Sequence, residues 1–477
     1  LRIYRIAVAL LRLLLALFFR RVEITGLGNV PAHGGGIFIA WHPNALVDGA
    51  LIVSVFPRRI VVGARHGLFR WPVLGAALRA MGAVPVYRRR DFPRDEDGAR
   101  RREANEKSID AMAEAVAQGA FALLFPEGES HDAPYPTELK TGAARLFYRS
   151  CEKTDPGAPG PVIVPVGLHY DRKHLFRSSA LVSFHPPMDL EPELALMTTS
   201  TTEEERRAKY RALTDELERS LSEVVYATES WDLHHAMHRA RKLMRAERAH
   251  RAGASLERPG MKERVRWFSR LWAGYNERAR THPGEVEDLV ARIQSYDSDL
   301  RALGIEDHEL YGSGLPSTRL ALRLMVQVLL VYFVLPPLLL IGYVVNLPAG
   351  LAVWAVSKWG ARARKDVASL KLVVGAIAFP AVWLSAGVLV AWGWTRLAAL
   401  YPRFSGAPVA TGVLAFSLSA LGAIVALHYQ RLARQTFRAA RVRLTRWRRA
   451  STLEHLRSQR SRLYDELMRL AEGLELS

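Results

Sequence analysis

Cysteine is nearly absent: Cys151 stands alone among 477 residues, so no intrachain disulfide can form, which fits a reducing compartment. It lies in the polar stretch 150-SCEKTDPG-157, a setting for an incidental thiol rather than a nucleophile. Charge is absent from three long runs, 324–356, 372–394 and 407–427, none of which contains Asp, Glu, Lys or Arg. As helices the last two would be roughly 31–35 Å long, against a hydrocarbon core of about 30 Å. A buried soluble helix rarely needs such length without a charge, so both are expected to span a membrane. Acids are missing again between His428 and Arg449, where eight arginines stand unopposed. Placed directly after a spanning helix, that block reads as a cytoplasmic segment facing anionic lipid. The net charge of +19 also invites a nucleic-acid reading, but no nucleic-acid motif accompanies the arginines. The chain opens on Leu1 rather than Met, so its true start is expected to lie upstream.

The apolar stretch 6–19 is interrupted by Arg12, is short for a span and lacks the cleavage pattern of a signal peptide. It is expected to lie in the membrane interface, with Arg20 and Arg21 at headgroup level. From 22 to about 190, β-rich runs (36–41, 60–64, 82–87, 121–126, 162–170) alternate with helical ones (67–81, 98–118, 137–150). That order predicts an α/β layer with a mixed or parallel sheet. Residues 191–310 become helical and charged. Thr202 and Glu205 fit a capping box, and amphipathic helices follow near 232–252, 261–281 and 285–303. His234 and His238 lie one turn apart; without further ligands nearby they read as surface histidines rather than a metal pair. The loop 357–371 carries Lys358, Arg362, Arg364, Lys365 and Lys371 against Asp366, and so belongs on the cytoplasmic side. For a soluble domain on that same side, 324–356, with Pro336, Pro337 and Pro348, must enter and return as a short or re-entrant hairpin. Leu463, Leu467, Leu470 and Leu474 mark one helix face in the tail.

Four blocks in the α/β part have chemical potential. His42 and Asp48 flank Pro43 and Asn44. An imidazole, with an ordinary pKa near ~6.5, can take a proton from a hydroxyl while a carboxylate fixes its tautomer. His42 at the end of strand 36–41 and Asp48 about a turn into the next helix would share one cleft. Arg88, Arg89 and Arg90 end the second block, 82-GAVPVYR-88 and its extension. A guanidinium at a strand end can grip a phosphate, whereas Arg89 and Arg90 read as a solvated loop. In the third block, 125-FPEGESHD-132, Pro126 and Gly128 set an open turn and Glu127 can accept hydrogen bonds from a polyol. His131 reads as structural or supporting, and Lys140 as a support of the loop. In the fourth, 164-VPVGL-168, Pro165 suggests an edge or a wall of a site.

In this order the blocks 42-HPNALVD-48, 82-GAVPVYR-88, 125-FPEG-128 and 164-VPV-166 resemble the glycerolipid acyltransferase superfamily, enzymes that acylate glycerol phosphate and lysophospholipids. The stretches 25-TGLGNVP-31 and 139-LKTGAARL-146 look familial too. Five residues separate His42 from Asp48 where the family usually has four. With Ser130, His131 and Asp132, that spacing is most similar to membrane-bound glycerol-3-phosphate or dihydroxyacetone-phosphate acyltransferases, as are 338-LLLIGYVVNLP-348 and 366-DVASLKLVVG-375.

The resemblance implies an α/β acyltransferase domain, a mixed sheet flanked by helices, with a helical insertion and C-terminal transmembrane helices. Its expected boundaries are an N-terminal membrane-associated helix at 1–21, the acyltransferase domain at 22–190 and a helical extension at 191–315. A membrane region follows at 316–428 and a basic tail at 429–477. It further implies an integral membrane protein with its catalytic domain on the cytoplasmic face. His42 would be the general base and Asp48 its orienting partner, with Arg88, Glu127, Gly128 and Pro165 binding substrate. No metal or cofactor is implied; acyl-CoA or an acyl carrier protein thioester would be co-substrate, and neither a covalent acyl-enzyme nor a nucleic acid is needed. The acceptor would be glycerol 3-phosphate or dihydroxyacetone phosphate, with lysophosphatidate as the alternative. An inert scaffold or transporter is the reading from another class. It is disfavoured by the intact motif residues and by the lack of ionisable residues in 372–394 and 407–427.

Overall fold

The structure, a computed structural model, describes residues 2–88, 91, 98–190, 202–254, 259–311, 318–361, 363–401 and 406–472. Arg89, Arg90 and Arg362 lie outside them. The chain divides into two compact units. One comprises Leu1–Trp231, Pro259–Arg266 and Arg362–Ser369; the other comprises Asp232–Arg258, Trp267–Ala361 and Leu370–Ser477.

The first unit is built on a seven-stranded sheet in the order β1-β7-β6-β2-β5-β3-β4. The strands are β1 (Arg21–Thr25), β2 (Gly36–Ala40), β3 (Ile60–Arg65), β4 (Val84–Val86), β5 (Phe121–Leu124), β6 (Val162–Tyr170) and β7 (Ser179–Phe184). All neighbours run parallel except β6 and β7, which makes the sheet mixed, as expected. β2 is buried along its whole length, and so reads as a continuous apolar run rather than an alternating one. Ile37 and Ile39 face a core formed by helices α4 (Gly98–Ala117), α5 (Gly142–Lys153) and α6 (Glu203–Val225). On α4, Ile109, Met112, Ala113 and Val116 repeat at the spacing of one helix face, and Leu213, Leu217 and Leu221 do the same on α6. Thr202 and Glu205 cap α6 reciprocally, as their spacing predicted. Phe38 points the other way and stacks on Phe121 with ring centroids 4.5 Å apart, edge-on to Phe56.

That second face is crossed by α1 (Arg2–Phe18) and α2 (Leu46–Val55), with α3 (Pro72–Ala80) beside α1. Arg12 of α1 donates to the Ser54 carbonyl, and Arg177 donates to the carbonyls of Ala16, Leu17 and Phe19 at the end of the helix. Ile3, Ile6, Leu10, Leu13 and Leu17 are all exposed, spaced as one unbroken apolar stripe. Two strands, β1 and β7, have no counterpart in the sequence-based expectation. β1 is short and abuts the apolar helix, and β7 pairs in part through β1. Gly26 must be glycine: at φ +69 a Cβ there would lie 1.9 Å from the Phe184 carbonyl oxygen.

The second unit contains α7 (Trp231–Arg251, from Asp232 on), most of α8 (Met261–Thr281), α9 (Pro283–Leu303), α10 (Thr318–Leu329), α11 (Leu335–Trp359), most of α12 (Arg364–Leu400), α13 (Pro408–Arg448) and α14 (Ala450–Leu470). Leu289, Ile293, Tyr296 and Leu300 of α9 pack with Leu453, Leu456 and Leu463 of α14. Within this core Arg239 pairs with Asp297 and Asp307, and the buried Arg460 pairs with Glu247 at 2.9 Å. His234 and His238 are half-buried rather than fully exposed: their Nε2 atoms lie 3.1 Å apart and both rings pack on Phe268.

Among the described residues, three helical segments, Leu339–Trp359, Arg364–Leu400 and Pro408–Arg446, are long and apolar enough to cross a membrane. The expected hairpin over 324–356 is not formed. The chain is helical from Thr318 to Trp359, with a π-turn at Leu330–Val334. Pro336 and Pro337 fall directly after that turn, where the wider winding spares the hydrogen bonds that proline cannot make.

Candidate active site

Parallel strands deliver their C-terminal ends to one edge of the sheet, and the motif residues collect there. β2 and β5 are adjacent, in register from Gly36↔Phe121 to Ile39↔Leu124. His42, just beyond β2, therefore meets the Phe125–Gly128 turn just beyond β5. The two rings stack, His42 on Phe125, with centroids 4.0 Å apart and planes within 15°.

Between His42 and α2 the chain turns sharply, with Ala45 at φ 45, ψ −128. A non-glycine residue there is strained, typically by about 1–3 kcal/mol. The turn directs Asp48, the third residue of α2, back at the imidazole: Oδ2 lies 2.9 Å from His42 Nδ1. The same oxygen accepts from the Asn44 backbone N–H at 2.7 Å, and Oδ1 accepts from the Tyr170 hydroxyl at 2.5 Å. Asp48 is fully buried. Facing a carboxylate, Nδ1 carries the imidazole proton, which leaves Nε2 as an acceptor. Burial, together with the negative charge of Asp48, holds the Tyr170 hydroxyl far above its usual range, so it remains a donor.

Glu127 is buried, and both its oxygens are engaged. Oε2 accepts from the His42 backbone N–H at 2.8 Å, while Oε1 accepts from Thr137 N–H at 3.0 Å and from His131 Nε2 at 2.5 Å. His131 Nδ1 accepts from the Ala133 N–H, so its proton resides on Nε2. A side chain so occupied does not face a polyol; in place of the expected acceptor contact, Glu127 ties the loop to the backbone of His42. Gly128 follows at φ +73, a turn position that favours glycine, and Lys140 packs beside it. His131 supports Glu127, and its own backbone N–H donates to the His42 carbonyl at 3.1 Å.

Arg88 follows β4 at the same edge, its guanidinium 4.0 Å from Glu129 and its backbone N–H on Asp91 at 2.8 Å. Pro165 is buried in β6, opposite Ile39 and three positions before the end of the apolar run. β6 is an interior strand, so the expectation of an edge does not hold. The ladder with β7 ends at Val166↔Phe184, one residue short of Pro165, so its missing N–H leaves no gap.

Two further residues that sequence reasoning missed hold the edge together. Tyr170 reaches Asp48 across 122 positions. Lys173 donates to the Pro43 carbonyl at 2.9 Å and pairs with Asp132 at 2.7 Å, bridging the His42 and Glu127 loops. Neither lies in a recognisable motif. Among the described residues no group of three His, Cys, Asp or Glu side chains could hold a metal.

Residues 21–169 match the family described as Acyltransferase, and residues 238–475 match the Glycerol-3-phosphate acyltransferase 2 C-terminal domain. An uncharacterised acyltransferase of Schizosaccharomyces pombe is 24% identical over 388 residues, covering 65% of this chain and 55% of that protein. Glycerol-3-phosphate O-acyltransferase 1 of Saccharomyces cerevisiae is 29% identical over 185 residues, 39% of this chain and 23% of the relative. A 1-acyl-sn-glycerol-3-phosphate acyltransferase of Borreliella burgdorferi is 26% identical over 178 residues, 36% of this chain and 62% of the relative. Each match spans less than two thirds of the relative's length. With one profile on the sheet unit and the other on the helical region that follows, the chain belongs to the acyltransferase family.

Proposed function

We propose that this chain is a membrane-bound O-acyltransferase that moves a fatty acyl group from an acyl thioester to a hydroxyl of glycerol 3-phosphate or dihydroxyacetone phosphate. The observation that carries the reading is the His42–Asp48 pair, whose outward Nε2 is available as a base. Nε2 takes the acceptor hydroxyl proton as that oxygen attacks the thioester carbonyl. The tetrahedral intermediate collapses, the C–S bond breaks, and the imidazolium returns its proton to the leaving thiolate. Asp48, fixed by Asn44 and Tyr170, stabilises the imidazolium. Such a base contributes about 10²–10⁴-fold in rate.

No covalent acyl-enzyme is required. Burial pushes the Cys151 thiol up to about 11, which makes it a poor nucleophile. Arg88 grips the acceptor phosphate, coenzyme A or an acyl carrier protein brings the acyl group, and no cofactor is invoked. The apolar stripe of α1 and the three long apolar helices keep the protein at the bilayer, with the catalytic unit on the cytoplasmic face.

The test offers the purified protein glycerol 3-phosphate, dihydroxyacetone phosphate and lysophosphatidate in parallel with one acyl-CoA, beside His42→Ala. The expected result is acylation of one of the first two, lost in the variant. Full activity in His42→Ala would overturn the mechanism. Preference for lysophosphatidate, the second reading, which the Borreliella burgdorferi relative favours, would overturn the acceptor.

A further inference from the structure

The stretch Arg362–Ser369 follows the first long apolar helix in sequence, yet it packs as part of the sheet unit. Ala368 is fully buried there. Lys365 donates through Nζ to the Ser130 carbonyl, in the turn that carries Glu127 and His131. Ser369 approaches the Asn44 carbonyl at 3.5 Å, in the turn that carries His42 and Asp48. A segment that directly follows a long apolar helix in sequence thus touches both loops of the candidate active site.

The charge of Lys365 is the informative part. Its side chain is half-buried, and among the described residues no Asp or Glu forms an ion pair with it. The Ser130 carbonyl is neutral and occupies one of three ammonium donors. A partly desolvated cation without a counter-charge is unfavourable until an anion arrives. The neighbouring residue, Glu129, is 68% exposed and faces Arg88 at 4.0 Å. Two cations from distant parts of the chain, Arg88 at the end of β4 and Lys365 at the start of α12, therefore converge on consecutive residues of one loop. Glu129 can swing into solvent when a better anion comes.

We infer that Lys365 is a substrate-binding residue which, together with Arg88, holds the phosphate of the acceptor, so that the membrane region supplies part of the acyltransferase site. This rests on the reading of the reaction given above. Two substitutions in the full-length protein separate charge from scaffolding. Lys365→Gln keeps a donor for the Ser130 carbonyl and removes the charge; Lys365→Arg keeps both.

With Lys365→Gln, the KM for the phosphorylated acceptor should rise roughly tenfold or more, with the KM for acyl-CoA and kcat held within about threefold. Lys365→Arg should restore the parent value. Inorganic phosphate serves as an independent probe: binding followed by phosphorus NMR should weaken in Lys365→Gln and persist in Lys365→Arg. Equal acceptor KM and equal phosphate binding in parent and Lys365→Gln would overturn the assignment. So would a fall in kcat with both KM values unchanged, which would make Lys365 a brace of the loop alone. If the parent acylates none of the acceptors, the proposed reaction fails, and the phosphate titration still decides the fate of Lys365.

Discussion

Asp48 receives hydrogen bonds from three sources, the His42 ring, the Asn44 backbone and the Tyr170 hydroxyl, in a place without solvent. Removing one donor from a buried carboxylate costs about 1–3 kcal/mol. Tyr170→Phe should therefore lower kcat by roughly 5- to 100-fold and leave the acceptor KM near its parent value. Asp48→Asn, which favours the wrong imidazole tautomer, should cost about 10²–10⁴-fold. Steady-state kinetics on both variants checks this, and a Tyr170→Phe enzyme as fast as the parent would remove Tyr170 from the mechanism. His42, Asp48 and Glu127 were legible in the sequence because each belongs to a short window with a recognisable pattern. Tyr170, Lys173 and Lys365 were not: their partners lie 122, 130 and 235 positions away, and such pairings appear only once the strands are in register. The role of Glu127 was misread for a related reason. A carboxylate beside a glycine turn looks available until the backbone donors of His42 and Thr137 are seen to occupy it.

At the scale of the element, α7 carries a pair that makes pH visible. Burial lowers His234 to about 4 and holds His238 well below the ordinary histidine range. Both are neutral when folded and protonate more readily when unfolded, so the unfolded state binds more protons below about 6.5. Stability contributed here is present above about pH 6.5 and declines as pH falls, by about 1.4 kcal/mol per unit for each group. Hydrogen exchange across α7 at pH 7 and pH 5 measures this. Protection should drop at pH 5 and stay level in a His234→Gln, His238→Gln double variant; equal drops in both proteins would assign the effect elsewhere.

Among the apolar helices, Asn346 donates to the carbonyls of Gly342 and Ser419 and accepts from the Trp383 indole at 2.8 Å, joining α11, α12 and α13. Gly342 and Gly422 meet close to this point, as do Gly387 and Gly412 nearer the start of α13. Asn346→Leu should weaken the helix association by about 1–2 kcal/mol, read as a lower Tm in detergent. An unchanged Tm would make the polar junction dispensable. The charge-free runs forecast two of these long helices directly. The third escaped because consecutive prolines suggest a break, and nothing in the sequence announces a π-turn ready to receive them.

For the whole molecule, the sheet unit is discontinuous. Glu23 accepts from the backbone N–H groups of Met261 and Lys262, and Arg264 pairs with Asp171 at 2.7 Å, so α8 lends its first turn to the unit. Lys365 and Ser369 add the second borrowed piece. A chain ending at Trp231 contains all seven strands and both catalytic candidates, yet it should retain its β-sheet signature by circular dichroism while losing most acyl transfer. Parent-level turnover from that fragment would show that the borrowed pieces are ornamental to catalysis.

The late position of Lys365 also bears on timing during synthesis. A ribosome making this chain releases His42, Asp48 and Glu127 early, then the whole of Leu339–Trp359, and only afterwards the segment that touches the two loops. On the proposed reading, the nascent catalytic unit is therefore incomplete until the apolar helix Leu339–Trp359 has been made. The order of translation would thus keep the proposed acyl transfer silent on chains that have not yet completed their first long apolar helix.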